Sequence, residues 1–159
     1  MHTAYLLLGS NIGNSKAALQ LAEKHIEEVM GCINKRSAFY RTAAWGNREQ
    51  PDFLNRVIII ETTLTAGEIL EKILKTEEQM GRTRSYKNAP RLIDIDILFF
   101  DDQIISTKDL AVPHPEIQNR RFVLEPLNEI SPAFLHPVLH QTSAEMLAAC
   151  GDRLNVQKI

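Results

Sequence analysis

The order of strand-like and helix-like segments in the first hundred residues limits the fold more than any other feature of this sequence. Residues 3–8 form a nearly continuous apolar run typical of a buried strand, and apolar residues then recur at helical spacing up to Gly31. Residues 33–42 read as a second strand, and residues 53–64 as the clearest strand of the chain. A second helix, which opens with a capping-box pattern at residues 65–68, precedes a β-rich run at 92–100.

This order, β-α-β-β-α-β, is the split pattern of ferredoxin-like folds. We therefore predict an α+β protein with a ferredoxin-like core, helices packed on an antiparallel sheet, and extra strands and helices at the C-terminal end. For the C-terminal third, the sequence predicts a turn-rich stretch, a Pro/His segment and one small helix from Thr142 to Cys150. The other face of the sheet is left for a ligand or for this third to cover. No repeat or linker interrupts residues 1–159, so one domain is expected.

Charge balance and cysteine content exclude several classes of protein. The 159 residues carry 18 Lys and Arg against 20 Asp and Glu, a net charge of −2, whereas nucleic-acid and anionic-membrane binders usually show a basic excess. Cys32 and Cys150 are far apart and fit reduced thiols in the cytosol. The first residues lack a signal-peptide pattern, and no apolar run is long enough to span a membrane. A cytoplasmic protein that binds neither membrane nor nucleic acid is expected.

Positive charge is concentrated in residues 81–91 of this otherwise balanced chain. The segment contains no acid and holds Arg82, Arg84, Lys87 and Arg91. Guanidinium groups bind phosphate oxygens in a bidentate manner, so this loop suits several phosphate oxygens, although an ordinary solvated basic turn has the same composition. Few apolar residues anchor the loop, and we expect it to close over a bound triphosphate.

Two carboxylates follow the basic loop within an apolar strand. Asp94 and Asp96 share one strand face, with their positions roughly 6.5–7 Å apart. Like charges in a half-buried strand are costly without a counter-ion, and Mg²⁺ held by one or two carboxylates together with phosphate oxygens fits the pattern. The alternatives are a solvent-facing edge strand or a pair with an arginine. A basic loop that leads into paired carboxylates is typical of phosphoryl or nucleotidyl transfer.

Several residues outside this motif suit a flat ligand with phosphates. Phe53 and Asn55 share a strand face, so that one stacks on a heteroaromatic ring and the other hydrogen-bonds its edge. Phe122 is a candidate for the opposite wall, and His114, between two prolines, and Arg120 are candidate phosphate contacts. A half-exposed strand start, a core phenylalanine and a structural histidine are the alternative interpretations.

Common nucleotide and metal motifs are absent. The sequence contains no Walker A motif, no G-x-G-x-x-G and no zinc signature. Residues 9–13 lack the lysine and the spacing of a phosphate loop, and we interpret them as a strand-to-helix turn.

Residues 87–98 resemble the signature of the 6-hydroxymethyl-7,8-dihydropterin pyrophosphokinases, a family of folate biosynthesis. Further motifs fall in the order and spacing of that family, so the resemblance covers nearly the whole chain. These motifs occupy residues 8–11, 39–42, 50–55, 81–84, 113–114 and 119–122.

The resemblance implies a ferredoxin-like enzyme that transfers the terminal pyrophosphoryl unit of ATP to the hydroxymethyl group of the pterin and releases AMP. It implies ATP and 6-hydroxymethyl-7,8-dihydropterin as substrates and two Mg²⁺ ions bound by Asp94 and Asp96. Arg82 and Arg91 resemble the catalytic arginines of a mobile loop. The ATP-binding positions that it implies are Glu77, Arg84, Ile97, His114 and Arg120. The pterin-binding positions that it implies are Thr42, Ala43, Trp45, Phe53, Asn55 and Phe122. The chain is expected to act as a monomer.

This chain departs from the family pattern at several positions. Ala43 and Ala44 stand where a proline pair is common, and Trp45 stands in place of leucine. Phe53 replaces a tyrosine, so the ring is kept and a hydroxyl is lost, and Asn88 replaces a tryptophan in a basic loop about one residue short.

Two other classes of function are compatible with the same fold pattern. A non-catalytic ferredoxin-like module that binds nucleotides or RNA needs stacked aromatics on its central strands, yet only 6% of residues are aromatic and the candidate strand carries two acids. A regulatory small-molecule sensor has no use for an arginine loop joined to paired aspartates. The sequence therefore favours the enzyme, and no residue stands out as a general base.

Overall fold

A computed structural model describes residues 1–43, 51–81 and 92–159 of the chain. The described strands are β1 (His2–Ser10), β2 (Cys32–Arg36), β3 (Tyr40–Thr42), β4 (Phe53–Thr62), β5 (Asp94–Phe100), β6 (Ile105–Ser106), β7 (Ala111–Val112) and β8 (Val156–Lys158). The described helices are α1 (Ser15–Val29), α2 (Ala66–Gln79), α3 (Arg121–Ile130) and α4 (Ser143–Ala149).

The main sheet has the strand order β5-β1-β4-β3-β8, and its pairings are antiparallel. Strand β2 also pairs with β4, alongside the half of β4 that β3 leaves uncovered. The central strand β1 lies between β4 and β5, which places Gly9 opposite both Asn55 and Asp94. The predicted α+β architecture with an antiparallel sheet is confirmed.

The alternation of side chains along β1 separates two hydrophobic cores, one on each face of the sheet. Leu6 and Leu8 point to the face covered by α1 and α2, whereas Tyr5 and Leu7 point to the face covered by the C-terminal third. On that second face α3 and α4 supply Val123, Leu124, Leu127 and Met146. The C-terminal third therefore covers part of the second face and leaves the end nearest Gly9 open, so both alternatives left by the sequence hold in part.

The helices on the first face begin where their capping residues predict. The Asn14 side chain accepts a hydrogen bond from the Ala17 backbone nitrogen (3.1 Å), and Thr65 and Glu68 form both bonds of the predicted capping box. Each helix turns an apolar stripe to the sheet. Among the helices of the described ranges, none has both the length and the apolar character needed to cross a membrane.

Gly31 follows α1 as predicted, but the reason is close packing and not a left-handed backbone. A Cβ added at position 31 would collide with the backbone carbonyl oxygen of Glu61 on β4. Only glycine therefore allows the end of α1 to lie against the sheet at this point.

Two sequence predictions about elements are wrong, and one helix was missed. Residues 33–42 are two strands, β2 and β3, because Ser37 leaves the strand and its backbone nitrogen and hydroxyl both bond to Val57 of β4. Residues 9 and 10, predicted as the start of a turn, continue β1. Helix α3 was not predicted, since Pro126 lies inside it and its N-cap residue Arg120 offers no capping side chain.

Candidate active site

The open end of the second sheet face forms a cleft that gathers most of the predicted site residues. Its volume is about 140 Å³. The described residues that line it are Leu7, Gly9, Thr42, Ala43, Phe53, Asn55, Asp94, Asp96, Arg120 and Phe122. Eight of these ten were predicted, and the ten come from five separate segments of the chain.

The floor of the cleft is a row of residues across three strands. Asp94 on β5, Gly9 on β1 and Asn55 on β4 lie directly opposite one another. Because neighbouring strands are about 4.8 Å apart, the Asp94 and Asn55 backbones lie roughly 10 Å from each other across the glycine. Asp96, two residues along β5, turns its side chain to the same cleft. The carboxylate pair and the amide thus flank an open floor.

Gly9 and Leu7 belong to the cleft, although the sequence interpretation did not assign them to it. A Cβ added to Gly9 would lie 2.6 Å from Oδ1 of Asn55, so only glycine leaves the buried amide in its place. A glycine inside a strand often marks such a close approach, and this was the available signal. Because we interpreted residues 9–13 as a turn, we did not recognise Gly9 as a strand residue of the cleft.

The side of the cleft on β3 and β4 is formed by Thr42, Ala43 and Phe53. Thr42 pairs with Phe53 across the two strands. The Thr42 hydroxyl is buried and has no hydrogen-bond partner among the described residues. An unsatisfied hydroxyl in a cleft wall is costly, and a ligand with a polar edge removes that cost.

The opposite side of the cleft is formed by the beginning of α3. Arg120 precedes the helix and Phe122 lies in its first turn, with the Arg120 guanidinium carbon 5.8 Å from the centre of the Phe122 ring. Both side chains reach the cleft as predicted, and Phe122 lines it in addition to packing at the edge of the second core.

His114 lies beside Asp94 and Arg120 and is held in one orientation. Its backbone nitrogen donates to the Leu98 carbonyl (2.9 Å), and its Nδ1 accepts a hydrogen bond from the Glu116 backbone nitrogen (3.1 Å). Burial, followed by the charge of Arg120, lowers the pKa of His114 below its usual value, whereas Glu116 and Asp94 act in the opposite direction. The imidazole is therefore neutral at pH 7 and carries its proton on Nε2.

The lowered pKa of His114 predicts a pH dependence of stability. In the unfolded chain the imidazole takes up a proton near pH 6.5, while the folded protein still excludes it. The free energy of unfolding should therefore fall as the pH drops below about 6.5, and this loss should stop growing below the folded pKa. When the free energy of unfolding is measured by urea at several pH values between 7 and 5, it should fall less steeply with decreasing pH for His114→Gln than for the wild type. Identical slopes would contradict the prediction.

Glu77 and Ile97 lie outside the lining of the cleft. Glu77 on α2 is 3% exposed, and its Oε2 accepts a hydrogen bond from the Ile95 backbone nitrogen (2.9 Å). The Ile97 side chain packs in the core below α1 and α2. Because β5 is the edge strand of the main sheet and the Ile95 nitrogen points away from β1, the backbone groups of Ile97 point away from β1 as well. Only the backbone of Ile97 is placed to contact a ligand.

The predicted residues Trp45, Arg82, Arg84 and Arg91 lie outside the described residues, as do Lys87 and the rest of the basic loop. Their roles, and the closure of the loop, stay predictions.

The described residues fit a hard cation that is completed by a ligand. Within residues 1–43, 51–81 and 92–159, no group of three His, Cys, Asp or Glu side chains is arranged to hold a metal ion. Mg²⁺, however, is usually held by one or two carboxylates with substrate phosphates and waters as the other ligands. Asp94 and Asp96, on one strand face and both lining the cleft, match that requirement.

Most of this chain is similar to one protein family. Residues 5–132 match the family model of 7,8-dihydro-6-hydroxymethylpterin-pyrophosphokinase. The chain is 43% identical over 145 residues to 2-amino-4-hydroxy-6-hydroxymethyldihydropteridine pyrophosphokinase of Aquifex aeolicus, covering 91% of this chain and 90% of that protein. It is 44% identical over 133 residues to the protein of the same name from Methylorubrum extorquens, covering 83% and 84%.

A solved structure supports the fold independently. The crystal structure of Plasmodium falciparum HPPK-DHPS wild type has a TM-score of 0.75 and 19% identity to this chain. The alignment covers 93% of this chain and 44% of the Plasmodium chain, and at this identity it supports the fold alone. With the match over residues 5–132 and the two relatives above 40% identity, the chain belongs to the 7,8-dihydro-6-hydroxymethylpterin-pyrophosphokinase family of folate biosynthesis and is a pyrophosphoryl-transfer enzyme.

Proposed function

We propose that the transfer takes place in this cleft, from Mg²⁺-bound ATP to the hydroxymethyl group of 6-hydroxymethyl-7,8-dihydropterin, with AMP as the second product. One observation carries the proposal. A single cleft holds a carboxylate pair on one side of Gly9 and a buried amide on the other, and two aromatic side chains line the same cleft. The first half suits a metal with phosphates, and the second suits a flat heteroaromatic ring.

The pterin is proposed to occupy the half of the cleft between β4 and α3. Phe53 and Phe122 supply ring faces for stacking, and the Asn55 amide supplies a donor and an acceptor for the ring edge. The Thr42 hydroxyl, which has no hydrogen-bond partner in the part of the chain that the structure describes, and the neighbouring Ala43 backbone offer further contacts at the same edge. This pocket selects a planar ring because its walls are aromatic and its floor is a glycine.

Removing one stacking wall is expected to separate pterin binding from ATP binding. Phe122→Ala should raise the Kd of the pterin about tenfold, because one stacking face is worth roughly 1–3 kcal/mol, and should change the Kd of ATP much less. Isothermal titration calorimetry with each ligand measures both values. Phe134→Ala is the matched control, since Phe134 packs on Tyr5 and Phe99 away from the cleft lining. Equal losses for both ligands would indicate that Phe122 has only a core role.

The triphosphate is proposed to lie along β5 and the start of α3. The Arg120 guanidinium and the Nε2 proton of His114 are donors for phosphate oxygens. The outward backbone groups of Ile97 suit the edge of an adenine, and Glu77 holds the adjoining part of β5 through Ile95. Arg82, Arg84 and Arg91 of the basic loop are proposed to contact the phosphates, on the strength of the family resemblance.

Asp94 and Asp96 are proposed to hold Mg²⁺, two ions in all, against the phosphates. When bound, the metal neutralises phosphate charge and fixes the reacting groups relative to each other. The side chains of the cleft then act mainly by position. Stacking and the Asn55 amide orient the pterin hydroxyl towards the β-phosphorus, and Arg120 stabilises the charge on the phosphate oxygens. A new bond forms between that hydroxyl oxygen and the β-phosphorus, the bond from the β-phosphorus to the AMP oxygen breaks, and the hydroxyl proton is released.

Product analysis tests the proposed function. The protein is incubated with ATP, Mg²⁺ and the reduced pterin alcohol, and products are separated by ion-exchange chromatography. Equal amounts of AMP and pterin diphosphate are expected, with none when the pterin or Mg²⁺ is left out. ADP as the nucleotide product, or no turnover, would reject the proposal. No turnover together with tight RNA or nucleotide binding would favour the non-catalytic module.

We propose one catalytic domain over residues 1–159, acting as a monomer in the cytoplasm. The described residues that line the cleft, from Leu7 to Phe122, all belong to one chain. Both cysteines are free, which suits a reducing compartment. Light scattering of the purified protein at assay concentration tests the oligomeric state.

A further inference from the structure

We propose that Asp152 is a positioning residue for the cleft, because it caps the helix that carries Phe122 by binding Arg121, which lies between the cleft residues Arg120 and Phe122. The inference rests on the proposed function, since it assigns these two side chains to substrate binding. Asp152 itself lies in the C-terminal segment, outside the cleft lining and 31 residues beyond the backbone nitrogen that it binds.

Two hydrogen bonds join Asp152 to Arg121, the first residue of α3, and a third fixes the Asp152 carboxylate within its own segment. The Arg121 backbone nitrogen donates to Oδ2 of Asp152 (3.0 Å), and the Arg121 Nε donates to the Asp152 carbonyl oxygen (3.1 Å). The other carboxylate oxygen of Asp152 accepts from the Leu154 backbone nitrogen (3.0 Å). Arg121 also forms an ion pair with Glu125 one turn later (3.1 Å), so its side chain is held at both ends.

Helix α3 lacks the usual means of fixing its own start. Its N-cap residue Arg120 makes no capping hydrogen bond through its side chain. Pro126 has no backbone N–H, so the carbonyl oxygen of Phe122 loses its normal helix donor. Because the first backbone N–H groups of a helix have no intrahelical acceptor and Arg120 supplies none, the Arg121 nitrogen depends on an external acceptor, and a carboxylate at a helix N-terminus is favoured by the helix dipole as well. Asp152 supplies both the acceptor and the charge.

The segment that carries Asp152 also continues to the other wall of the cleft. Strand β8 follows four residues later and pairs with β3, which places Val156 opposite Thr42. Residues 152–158 thus connect the start of α3, which bears Phe122, to the strand that bears Thr42. The spacing of the two walls depends on this connection, and Asp152 is its attachment point on the α3 side.

Three variants of the full chain test the proposal. Asp152→Ala removes both carboxylate bonds, whereas Asp152→Asn keeps an oxygen that can cap Arg121. Thr142→Ala is the matched control, because it removes the side-chain cap of α4, which does not line the cleft. The measurements are amide hydrogen exchange in the first turn of α3 and the Kd of the pterin by fluorescence.

Asp152→Ala should raise the pterin Kd about fivefold, the equivalent of one lost helix cap, and speed exchange at Arg121–Leu124. Asp152→Asn should restore most of the pterin affinity and most of the protection from exchange. Thr142→Ala should change neither the pterin Kd nor the exchange in α3, although it should lower Tm about as much as Asp152→Ala does. Unchanged exchange in α3, or a similar loss of pterin binding in Thr142→Ala, would overturn the proposal. If the wild type binds no pterin, the proposed function fails, and the exchange data still decide whether Asp152 fixes α3.

Discussion

Asp94→Ala and Asp96→Ala are each expected to lower kcat/KM for pyrophosphoryl transfer at least about 1,000-fold, because several kcal/mol of metal-based charge stabilisation depend on this pair. Both side chains line the cleft from one strand face, and the proposed site uses both carboxylates. The rate of AMP release is measured over a range of Mg²⁺ concentrations. Raising Mg²⁺ should recover only part of the loss.

The matched control is Asp102→Ala, which removes an exposed carboxylate from the turn after β5. It should keep near-normal turnover. Because Asp94 and Asp96 are both partly exposed, their alanine variants should keep the wild-type circular dichroism spectrum and a similar Tm. Near-normal activity of either variant at ordinary Mg²⁺ would show that the metal is held elsewhere.

Gly31→Ala is expected to lower the free energy of unfolding by about 2–3 kcal/mol, because the added methyl group meets the backbone carbonyl of Glu61, which cannot rotate away. The end of α1 must then move off β4, and packing against Met30 and Thr62 is lost with it; at present the Thr62 hydroxyl donates to the Met30 carbonyl oxygen (2.6 Å). Urea unfolding should show a lower midpoint with an unchanged m-value.

Gly67→Ala provides the comparison for Gly31→Ala. Gly67 lies in α2 and has no heavy atom within 4 Å of an added Cβ, so alanine there should raise stability by about 0.5–1 kcal/mol through its helix propensity. Equal effects of the two substitutions would mean that the contact with Glu61 does not limit the position of α1.

The sequence predicted those parts of the fold and site that depend on local periodicity. A strand alternates its side chains between two faces, so Asp94 and Asp96 had to share one face, as did Phe53 and Asn55. The structure brings both pairs to the same cleft. The capping box of α2 was also predicted from a four-residue pattern, and it is present.

The features that the sequence did not reveal depend on contacts between distant segments. The close approach of Gly9 to Asn55 requires the register between β1 and β4, which no local pattern contains. Helix α3 takes its cap from Asp152, which is 31 residues from Arg121, and contains a proline. The local sequence therefore does not predict a helix there. Ser37 divides β2 from β3 only because it bonds to Val57 on β4.

The central position of β1 has a consequence for how this protein is synthesised. The strand is made before its partners β4 and β5, which begin about 50 and 90 residues later; at roughly 5–20 residues per second this is a delay of about 3–20 seconds. During that interval a nine-residue, largely apolar segment has neither of its partners on the ribosome. Unpaired apolar strands associate with one another, so slower translation or a higher expression level should favour aggregation of nascent chains. Chaperones that bind extended apolar segments should therefore raise the yield of this protein more than ligands of the finished cleft do.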